Sequence, residues 1–127
     1  MALYRIVMRL ARNPGTHHAE ADDHRGYTIV APLTADARLD EDAFRKHRDA
    51  CTVRRFAPDE EPQVGHLHRH GQRWAFDYGD RAEGEEPVYR LGDHRFALGE
   101  YVSVTDEDGE LLTYKVTEVT AVEAASA

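Results

Sequence analysis

YVSVTDEDGELLTYKVT, residues 101–117, is the stretch on which the reading of the fold depends. Val102 and Val104 alternate with polar residues before Asp108-Gly109, and Leu112, Tyr114 and Val116 alternate after it, as expected for two half-buried strands of a hairpin. The length of the turn decides whether the two arms agree. A two-residue Asp108-Gly109 loop sets Val102 and Val104 on the face opposite to Leu112, Tyr114 and Val116. A three-residue loop over 107–109, with Gly109 left-handed in a bulge, brings all five onto one face. The pattern therefore predicts strands over 101–105 and 110–117 joined by the longer loop.

Working outward, residues 64–70 and 72–78 repeat the alternation around His70-Gly71. A two-residue loop at that dipeptide pairs Leu67 with Trp74 and Gly65 with Phe76 on a core face, Gly65 leaving room for the Phe76 ring. The other face then carries His66, His68, Arg73, Ala75 and Asp77. Short strands are expected over 52–56 and 88–91, the latter closed by Gly92, with acidic connectors over 57–63 and 79–87. Residues 3–10 fit both a strand and a helical stripe. A strand is preferred, because the next apolar segment, 27–30, has the β-branched and aromatic content of a pairing partner. Residues 12–25, nearly devoid of apolar side chains, read as a mobile loop. One helix is expected over 41–50: Asp40 caps it, Leu39 and Phe44 stand at staple spacing, and Glu41/Arg45 and Asp42/Lys46 pair at i,i+4. Its apolar stripe is thin, so it lies on the surface. Residues 121–127 read as a frayed tail. The fold class that follows is mainly β, with α+β at the margin. It is a small twisted antiparallel sheet rolled into a partly open β-barrel, with one surface helix, in a single domain over 1–127.

The chain has 127 residues, 41% hydrophobic and 31% charged, enough for one packed core and short of a second. Its formal net charge is -8, and residues 65–127 hold most of the excess, with 6 basic against 13 acidic side chains. A field of that sign repels phosphate backbones and anionic lipid, so neither nucleic acid nor a membrane surface is expected as a general partner. Cys51 is the only cysteine, which excludes an internal disulfide and fits a reducing compartment, the cytoplasm. No segment approaches the roughly 20 apolar residues of a membrane span.

Histidines supply the sharpest candidate chemistry. On a strand, His66 and His68 project from one face about 7 Å apart, with Asp77, His70 or His94 available as a third ligand for a divalent metal such as zinc or iron. Arg73 on the same face opposes a dication. Asp93 beside His94 offers an oriented base only if residues 92–95 form a true turn. Cys51 lies four residues after His47, but the C-terminal end of a helix disfavours a thiolate, so a buried structural thiol is expected. Arg45, Arg48, Arg54 and Arg55, with Lys46, make one local basic cluster able to hold an anionic ligand or single-stranded RNA, although Glu41 and Asp42 stand within reach of it. No glycine-rich phosphate loop, dinucleotide fingerprint or calcium-loop ligand series is present.

The phrases YRIVMRL (4–10), CTVRRF (51–56), LGDHRFALGEYVSV (91–104) and the hairpin DGELLTYKV (108–116) resemble a group of small uncharacterised bacterial proteins. That resemblance implies no activity or cofactor. The residues themselves point to a non-catalytic cytoplasmic binding module for a protein partner or small ligand. Two alternatives stand beside it: a divalent-metal protein or metal-dependent enzyme using His66 and His68, and weak RNA or anion binding through the cluster from Arg45 to Arg55.

Overall fold

A computed structural model of the chain describes residues 3–58, 60–70, 73–78, 85–88, 91, 94–105 and 109–122. Its strands are β1 (Leu3–Leu10), β2 (Asp22–Pro32), β3 (Thr52–Phe56), β4 (Gln63–His70), β5 (Arg73–Asp77), β6 (Glu85–Val88), β7 (Tyr101–Thr105) and β8 (Leu111–Val122). They form one antiparallel sheet in the order β6-β5-β4-β3-β2-β1-β8-β7. The protein is thus mainly β, a curled sheet that makes a partly open barrel. Among the described residues no helix is long and apolar enough to cross a membrane.

The strand order is a simple meander with one displaced opening. Each strand neighbours the next in sequence from β1 to β6, and β8 returns to pair with β1 from Leu3↔Val122 to Leu10↔Tyr114. The seam therefore lies between β6 and β7, which approach each other at the Cα level but stand at opposite ends of the hydrogen-bonded order. The connection across it delivers Leu91 and Phe96, both fully buried, and the Phe96 N–H donates to the Ala37 carbonyl at 2.7 Å. Apolar side chains thus fill the barrel where backbone pairing stops. Thr117 bulges between Glu118, opposite Val7, and Val116, opposite Met8, and its hydroxyl donates to the Val7 carbonyl at 3.3 Å.

The last hairpin has the register that the apolar pattern requires. Val102 pairs with Tyr114 and Val104 with Leu112, and these four are buried together with Val116. Gly109 is left-handed at φ 81°, while residues 106–108 lie outside the described residues. Residues 3–10 form the expected strand, with Ile6 and Met8 in the core.

Five expectations need correction. β2 begins at Asp22, so residues 22–25 belong to a strand and not to the loop before it. The loop itself is tied by Asn13, whose buried side-chain amide donates to the Ala11 and Thr113 carbonyls and accepts from the Thr113 N–H at 2.8 Å. The helix α1 (Glu41–Lys46) stops four residues early and gives way to a 3-10 turn, Arg48–Ala50. Its Asp40 cap is present, accepting from the Ala43 N–H at 3.1 Å, but Phe44 is its sole buried residue, too little to hold a further turn. The strand expected to start at Val88 starts three residues earlier, at Glu85, and residues 89–90 lie outside the described residues; Pro87 is tolerated there because β6 is an edge strand. Of the tail, Ala121 and Val122 continue β8, and residues 123–127 lie outside the described residues.

The fifth correction concerns β4 and β5. Leu67 pairs with Phe76 and Arg69 with Trp74, a shift of two residues from the expected register, because His70 is still paired, with Arg73. An even shift preserves the faces, so Leu67, Trp74 and Phe76 remain in the core. Gly65 is needed for a different reason than the Phe76 ring. A Cβ there would stand 2.1 Å from the Asp77 carbonyl oxygen, so it is neighbouring backbone that requires the glycine.

Candidate functional site

β4 outruns β3. Thr52, the first residue of β3, pairs with His66, and the Leu67 N–H reaches back to the Cys51 carbonyl at 3.0 Å; beyond that point β4 continues to His70 with β5 alone beside it. α1 and the 3-10 turn lie against this stretch. Phe44 holds α1 there by an edge-on contact with Trp74, and Glu41, one turn earlier on the same helix face, holds Arg69 at 2.8 Å. The predicted Glu41/Arg45 pair is therefore replaced: Glu41 turns to the sheet, and Arg45 pairs with Asp42 at 3.3 Å.

Between the helical segment and β4 runs a groove of about 720 Å³. Arg45, Arg48 and Asp49 line one side and His66, His68 and Arg69 the other, with buried Phe44 and Leu67 at its base and Glu41 between the walls. Arg69 is more buried than the other arginines and the carboxylates of its lining. The side chain is only 17% exposed, its guanidinium carbon stands 5.4 Å from the centre of the Trp74 ring, and its one ion-pair partner among the described residues is Glu41, itself 49% exposed. The Arg69 Nε is buried and has no hydrogen-bond partner among the described residues. A cation withdrawn from water this far requires an anion beside it, and the Trp74 ring face adds a further attraction.

The predicted basic cluster is divided by strand geometry. Arg45 and Arg48 line the groove, whereas Arg54 and Arg55 are neighbours on β3 and project to opposite faces of the sheet, Arg54 exposed opposite Thr28 and Arg55 half-buried opposite Tyr27. Four arginines on one patch are not what the fold presents. Arg69 was missed by sequence reading, although a signal existed: it shares the parity of Leu67 and so falls on the inner face of β4.

The metal candidates are likewise only partly assembled. His68 Nδ1 stands 3.2 Å from Asp77 Oδ2, and His66 pairs across the ladder with that aspartate's backbone. His94 sits in the connection across the seam, and among the described residues no three His, Cys, Asp or Glu side chains come close enough to hold a metal ion. The Asp93–His94 turn falls partly on residues 92–93, outside the described residues. Cys51 is fully buried; its thiol donates to the His47 carbonyl at 3.4 Å, and burial pushes its pKa up to about 11, so it persists as a structural thiol. The His47 imidazole, on the exposed face, takes no part in that contact.

Comparison with models of protein families, with curated proteins and with solved structures finds no match for this chain.

Proposed function

We propose that the protein is a binding module of the cytoplasm and that the groove between α1 and β4 is its ligand site. The observation that carries this reading is the groove itself: a concave space of about 720 Å³, with apolar Phe44 and Leu67 at the base and convergent polar side chains on its walls. That size and lining suit a small molecule better than a flat protein surface. Binding rather than turnover is favoured by the same side chains. Arginines supply charge and fixed donors, His68 and Glu41 are engaged with Asp77 and Arg69, and the one thiol is buried and protonated. The net charge of -8 speaks against extended polyanions, so RNA is not the preferred occupant.

Fragment screening by amide chemical-shift mapping tests the reading. Bound fragments are expected to move the amides of Leu67, His68 and Arg69 together with those of Arg45 and Arg48, and Arg48→Ala is expected to weaken them. Fragments that gather elsewhere on the barrel, leaving these amides unmoved, would reject the groove as the ligand site.

A further inference from the structure

We propose that the occupant of the groove is a small organic anion whose carboxylate or phosphate oxygens replace the Glu41 carboxylate on Arg69. This rests on the groove being the ligand site and adds the class of ligand and the contact it displaces.

The fold already shows what Arg69 accepts. Glu41 presents a carboxylate oxygen to its Nη2 at 2.8 Å, an internal anion in the place an external one would take. It engages one tooth of the fork only. Nη2 and Nε lie on the same edge of a guanidinium, and on Arg69 the Nε of that edge is buried with no hydrogen-bond partner among the described residues. A carboxylate or phosphate free of the helix can span both donors, the geometry in which arginine binds such groups most strongly. Since Nε is closed to solvent while Glu41 is in place, an oxygen reaches it as Glu41 leaves. The glutamate is half exposed and stands on the first turn of a six-residue helix, so it can exchange its partner for water.

The rest of the groove suits the same ligand. Arg45 and Arg48 stand across the groove from Arg69 and can take further negative charge, while Phe44 and Leu67, themselves buried, close its floor with apolar side chains. Asp42 already engages Arg45, and Asp49 lies on that wall, which limits the charge the groove can gather and argues for one or two anionic groups rather than a polyanion.

Four probes test the proposal on the intact protein by calorimetry and amide mapping: benzoate, phenyl phosphate, inorganic phosphate and, as the uncharged analogue of the first, benzamide. Benzoate or phenyl phosphate is expected to bind in the groove, more tightly than inorganic phosphate or benzamide. Whichever of the two gains more from Glu41→Gln identifies the carboxylate or the phosphate as the natural group. That gain is expected to be about 5-fold, the scale of releasing a partly exposed ion pair. Glu41→Asp keeps the charge but shortens the reach, so it too is expected to tighten binding. Unchanged or weaker anion binding in Glu41→Gln overturns the displacement, as does tightening in Glu41→Gln without tightening in Glu41→Asp. Benzamide binding as well as benzoate overturns the anionic class while leaving the groove as a site. If no probe or other fragment moves the groove amides, the underlying reading falls as well.

Discussion

The ring of Phe44 meets Trp74 edge-on, with centroids 4.9 Å apart and planes at 69°, and this contact seats α1 on the end of the sheet. Both rings are buried. Trp74→Ala is expected to cost about 3–5 kcal/mol by loss of packing, and Phe44→Leu to lose the aromatic geometry alone, about 0.5–1.5 kcal/mol. His68→Ala, on the opposite face of β4, is expected to cost less than about 1 kcal/mol. Urea melts of the three variants check the order. A His68→Ala protein as unstable as Trp74→Ala would mean that the faces of β4 are reversed.

Two glycines with different duties separate close packing from backbone conformation. Gly65→Ala drives a methyl to 2.1 Å from the Asp77 carbonyl oxygen, so β4 and β5 must part; a loss of about 3 kcal/mol or more is expected, at the upper end of overpacking. Gly109→Ala meets nothing within 4 Å and suffers only its left-handed φ of 81°, about 1–2 kcal/mol. Thermal melts in which Gly109→Ala is the worse of the two would contradict the backbone approach at Gly65.

Asn13 serves as a piece of strand. Where β1 ends opposite Tyr114, its amide completes the pairing of the next residue, Thr113, sharing the carbonyl with the Ala11 N–H and alone accepting from the Thr113 N–H. Asn13→Ala is expected to cost about 1–3 kcal/mol, since it strands a partly buried N–H. Hydrogen exchange locates the effect: the Thr113 amide should exchange faster while that of Val104, deep in the same hairpin, stays protected. Unaltered exchange at Thr113 would show that Asn13 does not carry this pairing.

Cys51 should be inert until the protein unfolds. With its thiol raised from 9.0 to about 11 by burial, the thiolate fraction at pH 8 falls roughly a hundredfold. A thiol-reactive chromogen is expected to label the native protein slowly and the denatured protein at once. The sign of the linkage follows: the unfolded thiol ionises first, so the contribution of the neutral buried form is complete below pH 9 and is lost as pH rises through about 11. The wild-type Tm should therefore fall faster than that of Cys51→Ala across this range. Parallel curves would place Cys51 in a more open environment.

What the sequence discloses and what it conceals divide along one line. Val102, Val104, Leu112, Tyr114 and Val116 disclose their register because a single face must collect five apolar side chains, and only one turn length allows it. Asp40 announces its helix because capping is local. In β4 and β5, registers two residues apart keep the same faces, so the apolar pattern is silent between them. Asp22, polar but paired with Leu10 across the register shift that passes over residues 23–25, owes its conformation to β1 and not to its own propensity. The groove was least legible. Arg45 and Arg48 were singled out, but their meeting with Arg69 requires β4 to outrun β3 and a helix to dock there, which no local pattern specifies. Arg54 and Arg55 were joined to them by nearness in sequence, the one kind of nearness that a strand converts into opposition.

Because Leu3 pairs with Val122, the barrel ties nearly the two ends of the described chain in a single ladder. During synthesis β1 leaves the ribosome more than 100 residues before β8 and must wait for it before its second edge is covered. A contact so distant in sequence slows folding and prolongs the exposure of an unfinished edge. The same ladder offers a remedy to an engineer. A circular permutant that links the present ends and begins at β7 would present the strands in their order across the sheet, from β7 through β8 and β1 to β6, with every paired neighbour consecutive. Such a chain could complete its sheet strand by strand as it emerges.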